Sequence, residues 1–234
     1  PGVNGLVVSA VRGCVPGSCG ILFAALALGA AMQHPIAPAV AVGVLLGVLA
    51  WAAWRPGDLW FMLPALLPMA NFMPWTGWWL VDESDLLVLA AMGGTYLRWG
   101  FDAWGHPAGE WDRTPQSIRW VYVLLPAVLV VGVWRGLDDA RGGVPWRVLL
   151  SDLWGLGVYG DYDLPGNTLR VAKSLVWGLL LLPVLYRSGQ GAPLRLARGM
   201  LAGLVLVCAV VLWERGVYAG GLGFSHHYRT SAWV

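Results

Sequence analysis

Arg170 and Lys173 stand three residues apart in GNTLRVAKSLVWGLLLLPVLY, residues 166–186, and Trp177 follows four later. On a helix this spacing puts all three side chains on one face. A charged side chain in a bilayer helix costs at least ~2.5 kcal/mol near the centre and less towards the ends. Two chemistries account for cations in such a place. They snorkel to lipid phosphates, or they bind an anionic substrate at the outer membrane surface. Arginine grips phosphate oxygens through two parallel N–H bonds, and lysine adds a point charge. Asn167 stands where the helix is expected to start; as its cap it would aim free backbone N–H groups at the same place.

A second cluster is LWERGVYAGGLGFSHHYRT, residues 212–230. Glu214 and Arg215 come at the end of an apolar run, and His226, His227, Tyr228 and Arg229 follow a glycine-rich stretch. The glycines are not a P-loop, because no G-K-[ST] follows. Neighbouring histidines point in different directions on a helix or a strand, so no shared metal is expected, and no cofactor is implied. The third cluster is acidic, in WTGWWLVDESDLL. Asp82, Glu83 and Asp85 would serve as acid, base or cation ligands if the helix ended in a cavity. The simpler expectation is an acidic loop, with Asp82 or Ser84 capping the next helix and the charges favoured by its dipole.

The elements that position these residues are written in the composition. Of the 234 residues, 58% are hydrophobic and 12% charged, whereas about a quarter are charged in a soluble domain. The expectation is an all-α, polytopic transmembrane protein in a lipid bilayer. A net charge of +2 gives no reason to expect nucleic acid. Cys14 and Cys19 frame CVPGSC, which lacks redox or zinc spacing, and Cys208 reads as a small buried hydrophobe.

Ile36–Trp54 is the clearest span, nineteen residues without a charge, about the length that crosses a bilayer. Leu59–Val81 is longer, and Pro64, Pro68 and Pro74 predict that it kinks or ends early. Gly20–Met32, Leu86–Leu97, Trp120–Trp134 and Gly199–Trp213 are shorter runs, with a tight hairpin at QHP before Ile36. With residues 166–186 these make about seven helices. Trp51, Trp54 and Trp60 at one end of a pair, and Trp75, Trp78 and Trp79 at the other, form a pattern of interfacial belts. Trp99–Ser117 reads as a loop, and Arg135–Asn167 as the longest connection, with VLLSDLWGLG amphipathic enough for a surface helix. No linker divides the chain, so residues 1–234 read as one transmembrane domain.

Lysine and arginine in the short loops set orientation. With a cytoplasmic N-terminus, Arg12, Arg55, Arg98, Arg113, Arg119, Arg187, Arg195 and Arg198 lie inside, and Arg135, Arg141, Arg147, Arg170, Lys173, Arg215 and Arg229 outside. Eight against seven is a narrow margin. It widens if some outer cations are kept for function. The chain opens on Pro1 and stops at TSAWV, which suggests a piece of a longer protein.

Three stretches carry a resemblance: LPALLPMANFMPWTGWWLVDESDLLVLAAMGG, NTLRVAKSLVWGLLLLPVL and WERGVYAGGLGFSHHYRT. In that order, and across most of the chain from about Ile36, they resemble the N-terminal half of bacterial O-antigen ligase/polymerase-like membrane proteins. The W-E-R and N-x-L-R-x-x-K segments are its more specific parts; the apolar spans match many membrane proteins.

The resemblance implies part of a larger, GT-C-like inner-membrane glycosyltransferase of lipopolysaccharide or exopolysaccharide biosynthesis. Such proteins move a glycan from an undecaprenyl-diphosphate carrier to a saccharide or lipid acceptor at the periplasmic face, without metal. It implies that Arg170, Lys173, Arg215 and Arg229 hold the diphosphate, with Asn167, Glu214, Asp82 and Asp85 in support. On this view Arg135–Asn167 is periplasmic. Members of the family continue into a large periplasmic loop with an essential histidine, beyond the stretch matched here; His226 and His227 do not replace it, and the catalytic residues stay unassigned. A fragment lacking that loop is expected to be inactive. Two other readings remain open, a non-catalytic scaffold of polysaccharide assembly and a lipid or polysaccharide transporter.

Overall fold

A computed structural model describes residues 3–34, 37–70, 82–105, 116–141, 165–188 and 191–217. These residues form seven α-helices, one 3-10 turn and no strand: α1 (Val3–Met32), α2 (Pro38–Trp54), the turn Pro56–Asp58, α3 (Leu59–Ala70), α4 (Glu83–Gly105), α5 (Gln116–Arg141), α6 (Pro165–Ser188) and α7 (Ala192–Val217). Each apolar run of the sequence corresponds to one helix. Fewer qualify as membrane spans. Val15–Met32 and Ala192–Trp213 are long and apolar enough to cross a bilayer, and Pro38–Trp54 with Pro56–Pro68 makes a third if that pair, bent by 117°, is one span.

Ile36–Trp54, expected to be the clearest span, is therefore a helix of 17 residues that Pro56 terminates. Proline cannot donate to the preceding turn, so the chain leaves α2 through a 3-10 turn, and Asp58 N–H reaches Arg55 C=O at 2.9 Å. The polar ends of several helices run further than apolar patterning suggests. α4 continues through Trp99 to Gly105, in the expected loop, because Arg98 and Asp102 pair at 3.0 Å one turn apart. α5 likewise carries Arg135–Arg141, expected to begin the long connection, as its last two turns. The expected surface helix at 148–157 and the tryptophans Trp75, Trp78 and Trp79 lie outside the described residues.

The chain divides into two compact units. The first contains Pro1–Thr76, Glu83–His106 and Ser188–Val234. Its core helix is α4, buried without interruption from Asp85 to Thr95, with α1 and α2 packed on it and α7 packed on α3. Glycine makes these contacts possible. A methyl group on Gly93 would stand 3.0 Å from the Ala24 nitrogen and 3.3 Å from the Gly20 oxygen, so α1 and α4 meet backbone to backbone. Gly94 lies as closely against α2 at Leu49 and Ala53, and Gly199 and Gly203 against α3 at Phe61 and Pro64. This small-residue packing is the mode of helices in lipid, where apolar surface alone gives no attraction.

At one end of this unit the tryptophans of the expected belt find polar partners. Trp60 Nε1 donates to Ser188 Oγ at 2.8 Å, Trp51 Nε1 donates to Asp58 Oδ2 at 3.4 Å, and Arg55 stacks 4.7 Å from the Trp54 ring centre. Such an end is apolar below and wet above. The second unit contains Gly77–Asp82 and Pro107–Arg187, with α5 and nearly all of α6. Apolar side chains are exposed on the unpacked faces of α5 and α7, Val128, Val130, Leu201 and Leu204 among them, which is compatible with lipid contact. Cys208, expected to be buried, is one of the exposed residues of α7.

Glycine packing makes a contrast that can be measured. Gly93→Val and Gly203→Val should each destabilise the purified protein by about 1–3 kcal/mol through overpacking. Gly43→Ala and Gly47→Ala, which face open space on α2, should instead raise the thermal unfolding midpoint in detergent, each gaining about 0.5–1 kcal/mol of helix propensity.

Candidate functional site

α6 begins at Pro165, and proline suits a first helical position because its missing N–H has no partner to lose there. Asn167 is consequently the third residue of the helix, not its cap as expected. Arg170 lies in the second turn, and Lys173 one turn beyond it on the same face. The Lys173 ammonium donates to Asp82 Oδ2 at 3.1 Å, with side chains 20% and 37% exposed. Both belong to the second unit.

Beside this pair, α5 and α6 line a groove of about 480 Å³. Leu129, Val133, Trp134, Leu169 and Val176 give it an apolar wall, and Lys173 is its charged lining residue. The helices come close at Gly136, where a methyl group would meet Thr168 Cγ2 at 2.7 Å. Volume and lining fall within the usual range of sites for small amphiphiles, roughly 300–1,000 Å³. The arrangement can hold a chain along α5 and α6 and an anion at Lys173.

Residue spacing put Lys173 and Asp82 in separate clusters and only the resemblance grouped them; the structure pairs them. It does not do so for every candidate. The side chains of Asn167, Arg170, Glu214 and Arg215 lie outside the described set, although their backbones are helical, the latter two in the last turn of α7 in the first unit. Arg229, His226 and His227 lie outside the described residues.

The acidic stretch also departs from expectation. Glu83 and Asp85 are not in a loop but in the first turn of α4, where the helix dipole favours them, and Asp85 is only 4% exposed. His34, 7% exposed in the turn after α1, joins this group. Its Nδ1 accepts the Ala37 N–H at 3.2 Å, which leaves the ring proton to Nε2, 3.9 Å from Glu83 Oε1. Burial pushes the His34 pKa below its ordinary 6.5. The sequence signalled His34 only as part of a turn. Thr95, fully buried inside α4, gave no signal either; its hydroxyl donates to the Ala91 carbonyl at 2.9 Å, one turn back. Among the described residues no group of three or more His, Cys, Asp or Glu could hold a metal ion.

No protein-family model, curated protein or solved structure matches the chain.

His34 gives a pH dependence of known sign. Its folded pKa is lowered, so the unfolded chain binds more protons as pH falls through 6.5. Stability contributed by neutral His34 is complete above that value and falls as pH drops from 6.5 to the folded pKa. In detergent the unfolding midpoint should decline over this window, and His34→Gln should flatten the decline. An equally steep decline in the variant would assign it to other groups.

Proposed function

We propose that this chain is the membrane part of an inner-membrane glycan transferase of the O-antigen ligase/polymerase kind, a GT-C-like bundle of about seven spans. It takes a glycan from an undecaprenyl-diphosphate carrier at the periplasmic face and passes it to a saccharide or lipid acceptor. One observation supports this most: a lysine whose stem lines an apolar groove while its ammonium pairs with Asp82, with Arg170 one turn away in the same helix. A diphosphate joined to a polyprenyl chain has that polarity, an anion at one end of a long apolar body. Cations fixed near the departing diphosphate would stabilise the charge that develops as the glycosyl bond breaks, often the largest single catalytic contribution.

A second reading has an observation in its favour. His34 beside the half-buried Glu83, with the buried Asp85 in the same turn of α4, is polarity of the kind that relays protons in transporters. A lipid or polysaccharide transporter would move substrate without forming a glycosidic bond, so a transfer assay separates the two.

In a full-length protein, Arg170→Ala and Lys173→Ala should lose about ten- to a hundredfold in turnover, equivalent to ~1.5–3 kcal/mol for one charged hydrogen bond, while insertion is unchanged. Arg170→Lys should also be impaired, since a point charge does not reproduce a planar fork. Arg198→Ala, on the exposed face of α7, is the control; equal losses at 170 and 198 would mean membrane anchoring. Orientation is tested in a cysteine-less background. An impermeant thiol reagent applied to intact cells should label Ala140→Cys but not Arg113→Cys. The opposite pattern would overturn the periplasmic placement of the site.

A further inference from the structure

We infer that Asp82 is a built-in competitor at Lys173, which the head group of an anionic amphiphile must displace while its chain lies in the α5–α6 groove. The inference rests on the reading of Lys173 as an anion-binding cation and adds the regulation of that site. Three observations carry it. Lys173 lends its alkyl stem to the wall of an apolar groove large enough for a ligand chain. Its carboxylate partner is bound at 3.1 Å through Oδ2. The carboxylate is also the more exposed of the two, at 37% against 20%.

The asymmetry in exposure matters. The helix α6 fixes the base of the Lys173 side chain beside the groove. Asp82 precedes the first residue of α4 and stands nearer to solvent, where water solvates a released carboxylate at little cost. An arriving phosphate would therefore exchange with Asp82 and leave Lys173 in place. The exchange keeps one anion beside the ammonium at every stage, so the groove never holds an unpaired charge. It also discriminates. A zwitterionic or neutral amphiphile offers no net charge to replace the carboxylate and leaves the bridge closed.

The test uses the full chain in detergent with diazirine-bearing phosphatidylglycerol, and phosphatidylcholine with identical chains for comparison. Mass spectrometry locates the cross-links. Phosphatidylglycerol should label peptides containing Leu129–Leu137 and Leu169–Val176 more strongly than phosphatidylcholine does. Asp82→Asn should raise phosphatidylglycerol labelling about 2- to 5-fold, the range of a partly exposed ion pair, without raising phosphatidylcholine labelling. Lys173→Met should remove the preference in both backgrounds. Val133→Trp, which fills the groove, should lower labelling by both lipids.

The outcomes separate the two claims. Unchanged or weaker phosphatidylglycerol labelling in Asp82→Asn, with the preference still lost in Lys173→Met, overturns the competitor and leaves the anion site. A preference that survives Lys173→Met overturns the anion site itself. Unaltered phosphatidylcholine labelling in Asp82→Asn certifies that this variant is folded. Full competition by inorganic phosphate at the lipid's concentration would show that the groove contributes nothing, and would overturn the placement of the chain.

Discussion

The first unit depends on backbone approaching backbone where α1 crosses α4. At Gly20 and Gly93 nothing but hydrogen fits between the helices. In lipid, a leucine face gains nothing by turning from hydrocarbon to protein, so association must come from dispersion and close fit. Glycine supplies the fit at about 0.5–1 kcal/mol of helix propensity each. The same device recurs between α2 and α4 at Gly94 and between α3 and α7 at Gly199 and Gly203. Among the described residues, α1–α4, α2–α4 and α3–α7 thus each have a glycine where the backbones approach, and Val in these positions would crowd the neighbouring helix.

The hydrophobic pattern made the seven helices readable because each apolar run is bounded by turn residues or charge. It read their ends poorly. Polar residues stop an apolar run without stopping a helix, and α4 shows why: Arg98 and Asp102 are lost to a hydropathy plot yet pair along the helix they extend. Among the described residues two helices, or three with the bent pair taken as one, are long and apolar enough to span, fewer than the apolar runs, since length decides what crosses a bilayer. Pro56 cuts α2 at 17 residues and turns the chain by 117°. Buried polarity was the least visible feature. His34 and Thr95 sit among apolar residues with no spacing of their own, and only the folded backbone assigns their partners, Ala37 and Ala91.

The candidate site was half visible. Arg170 and Lys173 announce themselves because cations interrupt an apolar run at helical spacing. Asp82 lies 91 positions from Lys173, and no local rule relates them. Its own neighbourhood explained it well enough as a helix start, which is why the pairing was hidden. A residue adequate for one role locally gives no sign of a second role at long range.

Magnitudes limit what this pair can be for. An ammonium at the bilayer centre costs about 2.5–3.5 kcal/mol on insertion scales. A partly exposed ion pair returns about 0.2–1 kcal/mol. The bridge to Asp82 therefore does not by itself offset a mid-membrane cation, and position must supply the rest. Lys173 stands little more than two turns from the start of α6 and remains 20% exposed, so its flexible stem carries the ammonium towards water. In such a place the cost of the cation is small, and so is the energy of the bridge. A weak bridge over an apolar groove is a poor structural clamp. It is well matched to a contact that opens, because an incoming phosphate has only this small energy to exceed.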